Sequence, residues 1–170
     1  MNNIKQKILI ILFSYHHKNT EKIAKVFEKI FNAEIKKPQQ IYPEEIQGYD
    51  LIGFGSGIYG AKNHKSLLNL VEKLPLFSYK RAFIFSTAAL TNEKKLAKDH
   101  KLLRELLLSK GFIVEHEFQC KGFNTNSFMK YFGGMNKGRP NADDLKHAEE
   151  FALNLKQELL KNNSKLALEG

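Results

Sequence analysis

The stretch Lys7-Ile8-Leu9-Ile10-Ile11-Leu12-Phe13-Ser14-Tyr15-His16-His17-Lys18-Asn19-Thr20 decides the fold. Ile8–Phe13 is apolar without alternation and too short to cross a membrane, so Lys7–Phe13 reads as a strand buried on both faces. A run of polar residues and a tyrosine, Ser14–Thr20, follows at once. Beyond it Ile23, Val26, Phe27 and Ile30 recur at the spacing of one helix face. A helix N-terminus offers unpaired N–H groups and the positive end of the dipole. Ser14, Asn19 and Thr20 add side-chain donors, so the loop suits a phosphate. In the plainer reading Asn19 or Thr20 only caps the helix, which leaves the other polar residues unexplained.

The same alternation continues down the chain. Strands are expected at Glu34–Lys37, Asp50–Phe54, Arg81–Phe85 and Phe112–Phe118, and helices at Lys65–Leu74 and Lys95–Lys110. Asn141-Ala-Asp-Asp144 caps a last helix that turns Leu145, Ala148, Phe151, Ala152 and Leu155 inward. Strands alternating with helices predict an α/β domain with a parallel sheet. Residues 1–161 are expected to form this single domain, with 162–170 a flexible tail. Cys120–Pro140, which holds Gly122, Gly133, Gly134 and Gly138, is too long for a plain connection; it is expected to be functional or to carry structure of its own.

Two further loops are expected at the carboxyl ends of strands, where open parallel sheets bind ligands. Gly55-Ser-Gly-Ile-Tyr-Gly60 matches G-x-G-x-x-G, but it follows the third strand, and Lys80 and Arg81 stand where a dinucleotide fold needs an acid. Its small residues would instead let backbone approach a flat ligand, with the Tyr59 ring to stack on; in the plainer reading the glycines only shape a turn. Ser86–Thr91 offers hydroxyls and small side chains, a weak signal alone. His16 and His17 are adjacent, point apart and have no Cys, Asp or Glu nearby, so they do not read as metal ligands. The single cysteine, Cys120, excludes an internal disulfide and reads as a small buried hydrophobe. His64, His100, His116 and His147 have no spacing that argues for catalysis. No P-loop sequence occurs.

The chain has 170 residues and a net charge of +9, supplied almost wholly by lysine, since arginine occurs only at 81, 104 and 139. A nucleic-acid reader would cluster arginine. The lysines read as solvated charge on helix faces, with an acidic protein partner as the alternative. Neither nucleic acid nor membrane is expected as a partner.

In these loops the chain resembles the flavodoxin-like family. Ser14…Asn19-Thr20 is similar to that family's FMN phosphate loop, with His16, His17 and Lys18 where simpler loops carry Thr and Gly. Tyr49–Tyr59 is similar to the strand and loop that hold one side of the flavin ring, and Ser86-Thr87 stands where the second ring loop begins. The resemblance implies a three-layer sandwich whose five parallel strands run in the order 2-1-3-4-5, with helices on both faces. It implies FMN as cofactor, with Ser14, His16, His17, Asn19 and Thr20 at the phosphate. Ser56, Gly57, Ile58, Tyr59, Ser86 and Thr87 would lie at the ring. It further implies a cytoplasmic flavoprotein of electron transport, a one-electron carrier between redox proteins. The alternative on the same fold is an NAD(P)H-dependent FMN quinone or flavin reductase, with Arg139 a candidate anchor; a flavin-free interaction module is the third reading. Flavodoxins are typically acidic and this chain is basic. Lys18, Lys62, His64 and Lys65 near the site would then make reduction easier.

Overall fold

The computed structural model describes residues 6–125 and 127–166; residues 1–5, 126 and 167–170 lie outside the described residues. Strand β1 (Ile8–Phe13) leads to helix α1 (Asn19–Phe31), and β2 (Glu34–Lys36) to two 3-10 turns, Pro38–Gln40 and Pro43–Gly48. Then come β3 (Leu51–Tyr59), β4 (Lys62–Asn63), α2 (Lys65–Lys73), β5 (Lys80–Ala88) and α3 (Glu93–Ser109). Strand β6 (Phe112–Lys121), a 3-10 turn at Ser127–Phe132 and α4 (Ala142–Leu166) complete the order. The helix carries the chain five residues past the expected domain end at 161. The sheet order is β2-β1-β3-β5-β6, all neighbours parallel, with β4 paired antiparallel to the end of β3. With β4 set aside, this is the expected 2-1-3-4-5.

Helices α1 and α4 cover one face of the sheet and α2 and α3 the other. Leu9, Ile10 and Ile11 on β1 have no exposed surface, which is why that strand reads as an unbroken apolar run. On β3 and β5 side chains alternate. Ile52, Phe54, Ala82 and Ile84 face α2 and α3, while Leu51, Phe83 and Phe85 face α1 and α4. Phe27 of α1 sits at the centre of the second cluster. Its ring lies edge-on to Phe83 (5.7 Å), Phe85 (5.1 Å) and Phe118 (5.9 Å), and 5.6 Å from Phe151 of α4. Burying an aromatic side chain of this size is worth about 1.5–3 kcal/mol.

The structure differs from the sequence reading at the strand ends. Strand β3 continues through Gly55, Ser56, Gly57, Ile58 and Tyr59, which were expected in a loop, and β5 continues through Ser86, Thr87 and Ala88. Parallel pairing of β3 holds as far as Gly57, with Ser56 opposite Ser86, Gly57 opposite Thr87 and Thr87 opposite Cys120, while Ile58 and Tyr59 pair antiparallel with β4. The apolar run stops before the strand does, because the last rungs face polar groups instead of the core. Gly60 (φ 56°) and Ala61 (φ 58°) then make a two-residue hairpin turn to β4.

Two glycines of β3 serve packing. A Cβ on Gly53 would lie 2.3 Å from the Phe83 ring, and one on Gly55 2.0 Å from the Phe85 ring, because each phenylalanine folds over the glycine paired with it. Gly55→Ala is therefore expected to cost about 1–3 kcal/mol of stability by overpacking. Gly60→Ala, whose Cβ would meet nothing, should cost about 1 kcal/mol through its positive φ alone. Urea unfolding of the two variants checks the order.

Candidate functional site

Where the order of strands reverses, between β1 and β3, their carboxyl ends leave a cleft. Ser14–His17, Asn19 and Thr20 form one wall, Gly57–Tyr59 the second, Thr87–Ala89 the third and Gly122–Thr125 the fourth. The cavity volume of this open cleft is about 60 Å³, room for roughly four to six water-sized groups.

The cleft opens onto the N-terminus of α1. Lys18 occupies the cap position at φ 51° and makes no side-chain cap. Ser14 replaces it, its Oγ accepting from the Glu21 N–H at 3.2 Å. The Ser14 hydroxyl hydrogen is thereby left for another acceptor. Thr20 and Thr87 face each other across the sheet–helix boundary, Oγ1 to Oγ1 at 2.8 Å. Two hydroxyls so placed share one hydrogen, and the pair keeps a second to donate. Asn19 donates from Nδ2 to the Phe123 carbonyl at 2.8 Å, while its Oδ1 is buried with no partner. A buried orphan acceptor is costly unless a donor arrives. Ser14, Asn19, Thr20, Thr87 and the helix terminus thus form a cradle for a group that is both acidic and hydroxylated.

His16 and His17 part company. His16 packs edge-on to Tyr15 at 4.9 Å, whereas His17 lies tilted against Phe123 at 4.4 Å and meets the Thr125 hydroxyl from Nε2 at 2.8 Å. Tyr59 lies half-buried over Gly57, its hydroxyl pKa raised by burial, with the His64 ring against its edge at 5.2 Å. His64 stacks flat on Phe13 at 3.6 Å and caps α2 by accepting from the Ser66 N–H at Nδ1. Burial and, after it, the Lys65 charge lower its pKa, which disfavours the charged form.

Ser56 and Ser86 do not line the cleft. Both lie at even positions and point to the α2–α3 face. Ser56 donates to the Gly57 carbonyl and accepts from Asn63 and the His64 N–H, which locks the β3–β4 hairpin. Ser86 begins a buried chain that the sequence did not betray. Its Oγ is 2.7 Å from His100 Nε2, His100 Nδ1 donates to Glu117 at 2.8 Å, and Arg104 binds both Glu117 oxygens. Gln119 ties Ser86 to the buried Asp99, which Lys95 also holds. The order Ser–His–carboxylate is that of a hydrolytic nucleophile. Ser86 and His100 have no exposed surface, however, and the chain acts as a brace across β5, β6 and α3.

The fourth wall was also missed. Residues 122–139 leave β6, and Asn124 pairs antiparallel with Met135 through two backbone bonds of 2.9 and 2.7 Å. Gly122 bonds the Ala88 carbonyl, and Asn136 Nδ2 bonds that of Ala89 at 2.7 Å. A Cβ on Gly122 would lie 2.9 Å from the Asn19 amide, so glycine there lets the segment close on α1. The clustered glycines were the available signal; which wall they built was not. Cys120 is buried behind this wall, its thiol pushed up to about 12 by burial and the Asp144 charge. Arg139 pairs with Asp144, which with Asn141 caps α4 as expected. No helix among the described residues is long and apolar enough to cross a membrane.

A three-layer sandwich of this topology, with its cleft at the switch point, is the architecture of flavodoxins. The oxidised flavodoxin 2 of Bacillus cereus superposes with a TM-score of 0.66 at 18% identity, over 89% of this chain and 99% of that one. Rubredoxin:oxygen oxidoreductase of Desulfovibrio gigas superposes at 0.60 and 18% identity, over 95% of this chain and 37% of that one. An uncharacterized protein of Methanocaldococcus jannaschii is 49% identical over 156 residues, 92% of this chain and 99% of its own. No family model matches the sequence. The chain has the flavodoxin-like fold and belongs to the family of that archaeal protein.

The buried brace has a pH signature. Burial alone would raise the Glu117 pKa, but the bonds and charges of His100 and Arg104 overcome it and hold it at about 2, below the usual 4.5. A depressed carboxylate stabilises the fold fully above its unfolded value and loses that contribution as pH falls to its folded value. The stability difference between wild type and Glu117→Gln should therefore be constant above about pH 5 and shrink steadily towards about pH 2. Denaturant titrations at several pH values check it.

Proposed function

We propose that the protein binds FMN in this cleft and carries electrons one at a time between redox proteins. The observation that carries this reading is the cradle of Ser14, Asn19, Thr20 and Thr87 on the α1 N-terminus, at the sheet's switch point. Its hydroxyl hydrogens and helix N–H groups suit a phosphate ester. The orphaned Asn19 Oδ1 wants a hydroxyl donor, as a sugar-alcohol chain next to that ester would supply. The half-buried Tyr59 offers its ring beside Gly57, where a flat heterocycle could lie against backbone. When bound, the flavin would supply the redox chemistry. The chain's own residues would bind the phosphate, orient the ring and leave one edge open at the rim.

The alternative, an NAD(P)H-dependent reductase, needs a second nucleotide anchor. Arg139, its candidate, is taken by Asp144. The carrier is the reading retained.

Anaerobic stepwise reduction of the FMN-loaded protein tests it. Passage through a stable one-electron-reduced stage, with no oxidation of NADH or NADPH, is expected; steady NADPH consumption with a quinone would replace the carrier by the reductase. The cradle itself is tested by a cycle of Thr20→Ala, Thr87→Ala and the double variant. Each single change should weaken FMN binding by about 1–2 kcal/mol. The double variant should lose less than the sum, because the two hydroxyls share a hydrogen. Unchanged affinity in both single variants would remove the phosphate from this cradle.

A further inference from the structure

The charge of this protein is not spread evenly. The four connections that leave the carboxyl ends of β1, β3, β5 and β6, taken with the first turns of the helices they enter (residues 14–22, 60–68, 89–96 and 121–145), hold ten lysines and arginines against four acids. Over the remainder of the chain the two signs nearly balance, seventeen to fourteen. Solvated helix faces would give no such asymmetry. Within the edge, Glu21 lies near Lys18 and Asp144 is bound by Arg139. Lys62, Lys65, Lys94, Lys121, Lys130 and Lys137 make no ion pair among the described residues. All but Lys121 are exposed, and Lys121 is half-buried.

The same edge carries exposed apolar surface. Tyr131 is 77% exposed and Phe132 80%, at the tip of the excursion whose base, Gly122–Thr125, walls the cleft. Tyr15 and Leu90 are exposed on the two neighbouring connections. Aromatic side chains surrounded by charge are the composition of a recognition surface: an apolar centre holds and the rim steers. The rim is lysine, a strongly hydrated point charge that favours fast, salt-sensitive encounter over a locked bidentate contact. Arginine, the residue of base readout, occurs once at this edge and is committed to Asp144.

We propose that this edge is a docking surface for a redox protein that presents an acidic rim, with Tyr131 and Phe132 as the apolar contact. The inference rests on the electron-carrier reading for the nature of the partner, but the charge and the exposed rings stand without it. A basic partner would face a field of its own sign, and one with no charged rim would leave the lysine excess without a use. The partner's acidic groups would sit opposite lysines that have no acid of their own, so docking breaks no ion pair of this chain.

The test uses the FMN-loaded full chain and four probes: an acidic [2Fe–2S] ferredoxin, basic cytochrome c, phosphatidylserine vesicles and duplex DNA. Dissociation constants are measured by titration at about 20 and about 200 mM salt, a range over which screening lengths fall severalfold. The ferredoxin is expected to bind tightest and to lose about tenfold or more in affinity across that range. The triple variant Lys121→Glu/Lys130→Glu/Lys137→Glu should bind it at least about tenfold more weakly at low salt and gain affinity for cytochrome c. Tyr131→Ser/Phe132→Ser should weaken ferredoxin binding with the salt slope unchanged. Cytochrome c binding wild type as well as the ferredoxin does, or a triple variant indistinguishable from wild type, overturns the proposal. Vesicles or DNA binding more tightly than the ferredoxin overturn it in favour of a general polyanion surface. Flavin fluorescence, followed in the same samples, separates the two readings. A protein that ignores FMN yet binds the ferredoxin in this salt-dependent way keeps the docking face and loses the carrier function.

Discussion

The structure turns on the two-residue alternation along β3 and β5. Odd positions face α1 and α4, and even positions face α2 and α3. The alternation sets Phe83 and Phe85 against Phe27, and it requires glycine at 53 and 55, where those rings cross the neighbouring strand. Carried two rungs further, it presents Thr87 to Thr20 and turns Ser86 away towards His100. One residue of register thus separates a hydroxyl that serves the cleft from one that braces the sheet.

The fold was legible because its signal is repetitive. Every parallel strand buried on both faces reads as an apolar run, and every covering helix repeats its apolar positions at helical spacing. The phosphate-side residues were legible for a different reason: polar residues crowded between a core strand and a helix have few other uses. The ring-side residues were harder to read. The strands continue into polar residues where the core ends, so hydrophobicity marked β3 as ending at Phe54 and β5 at Phe85, several rungs early. With the end misplaced, the facing of Ser56 against Gly57, and of Ser86 against Thr87, could not be worked out.

The brace of Ser86, His100, Glu117, Arg104, Gln119 and Asp99 was invisible for another reason. Its members come from β5, α3 and β6, and only the register of β5 against β6, with its irregularity at Ala82–Phe83, brings them together. No spacing within one segment encodes that. The same holds for Gly122–Thr125, whose place on the cleft depends on Gly122 reaching Ala88 and on Asn19 reaching Phe123. Local pattern identifies elements; the last rungs of a sheet decide which polar side chains meet.

The bonds that close the cleft join parts of the chain remote in sequence. His17 meets Thr125 across 108 positions, and Asn19 meets Phe123 across 104. Loop closure over such spans is entropically expensive, so contacts of this kind form after the strands between them have paired. The cradle is therefore complete only once β6 has docked on β5 at the far side of the sheet. Occupancy of the cleft becomes a report on the integrity of the entire chain, and a bound ligand stabilises by mass action the whole cooperative unit, not one loop.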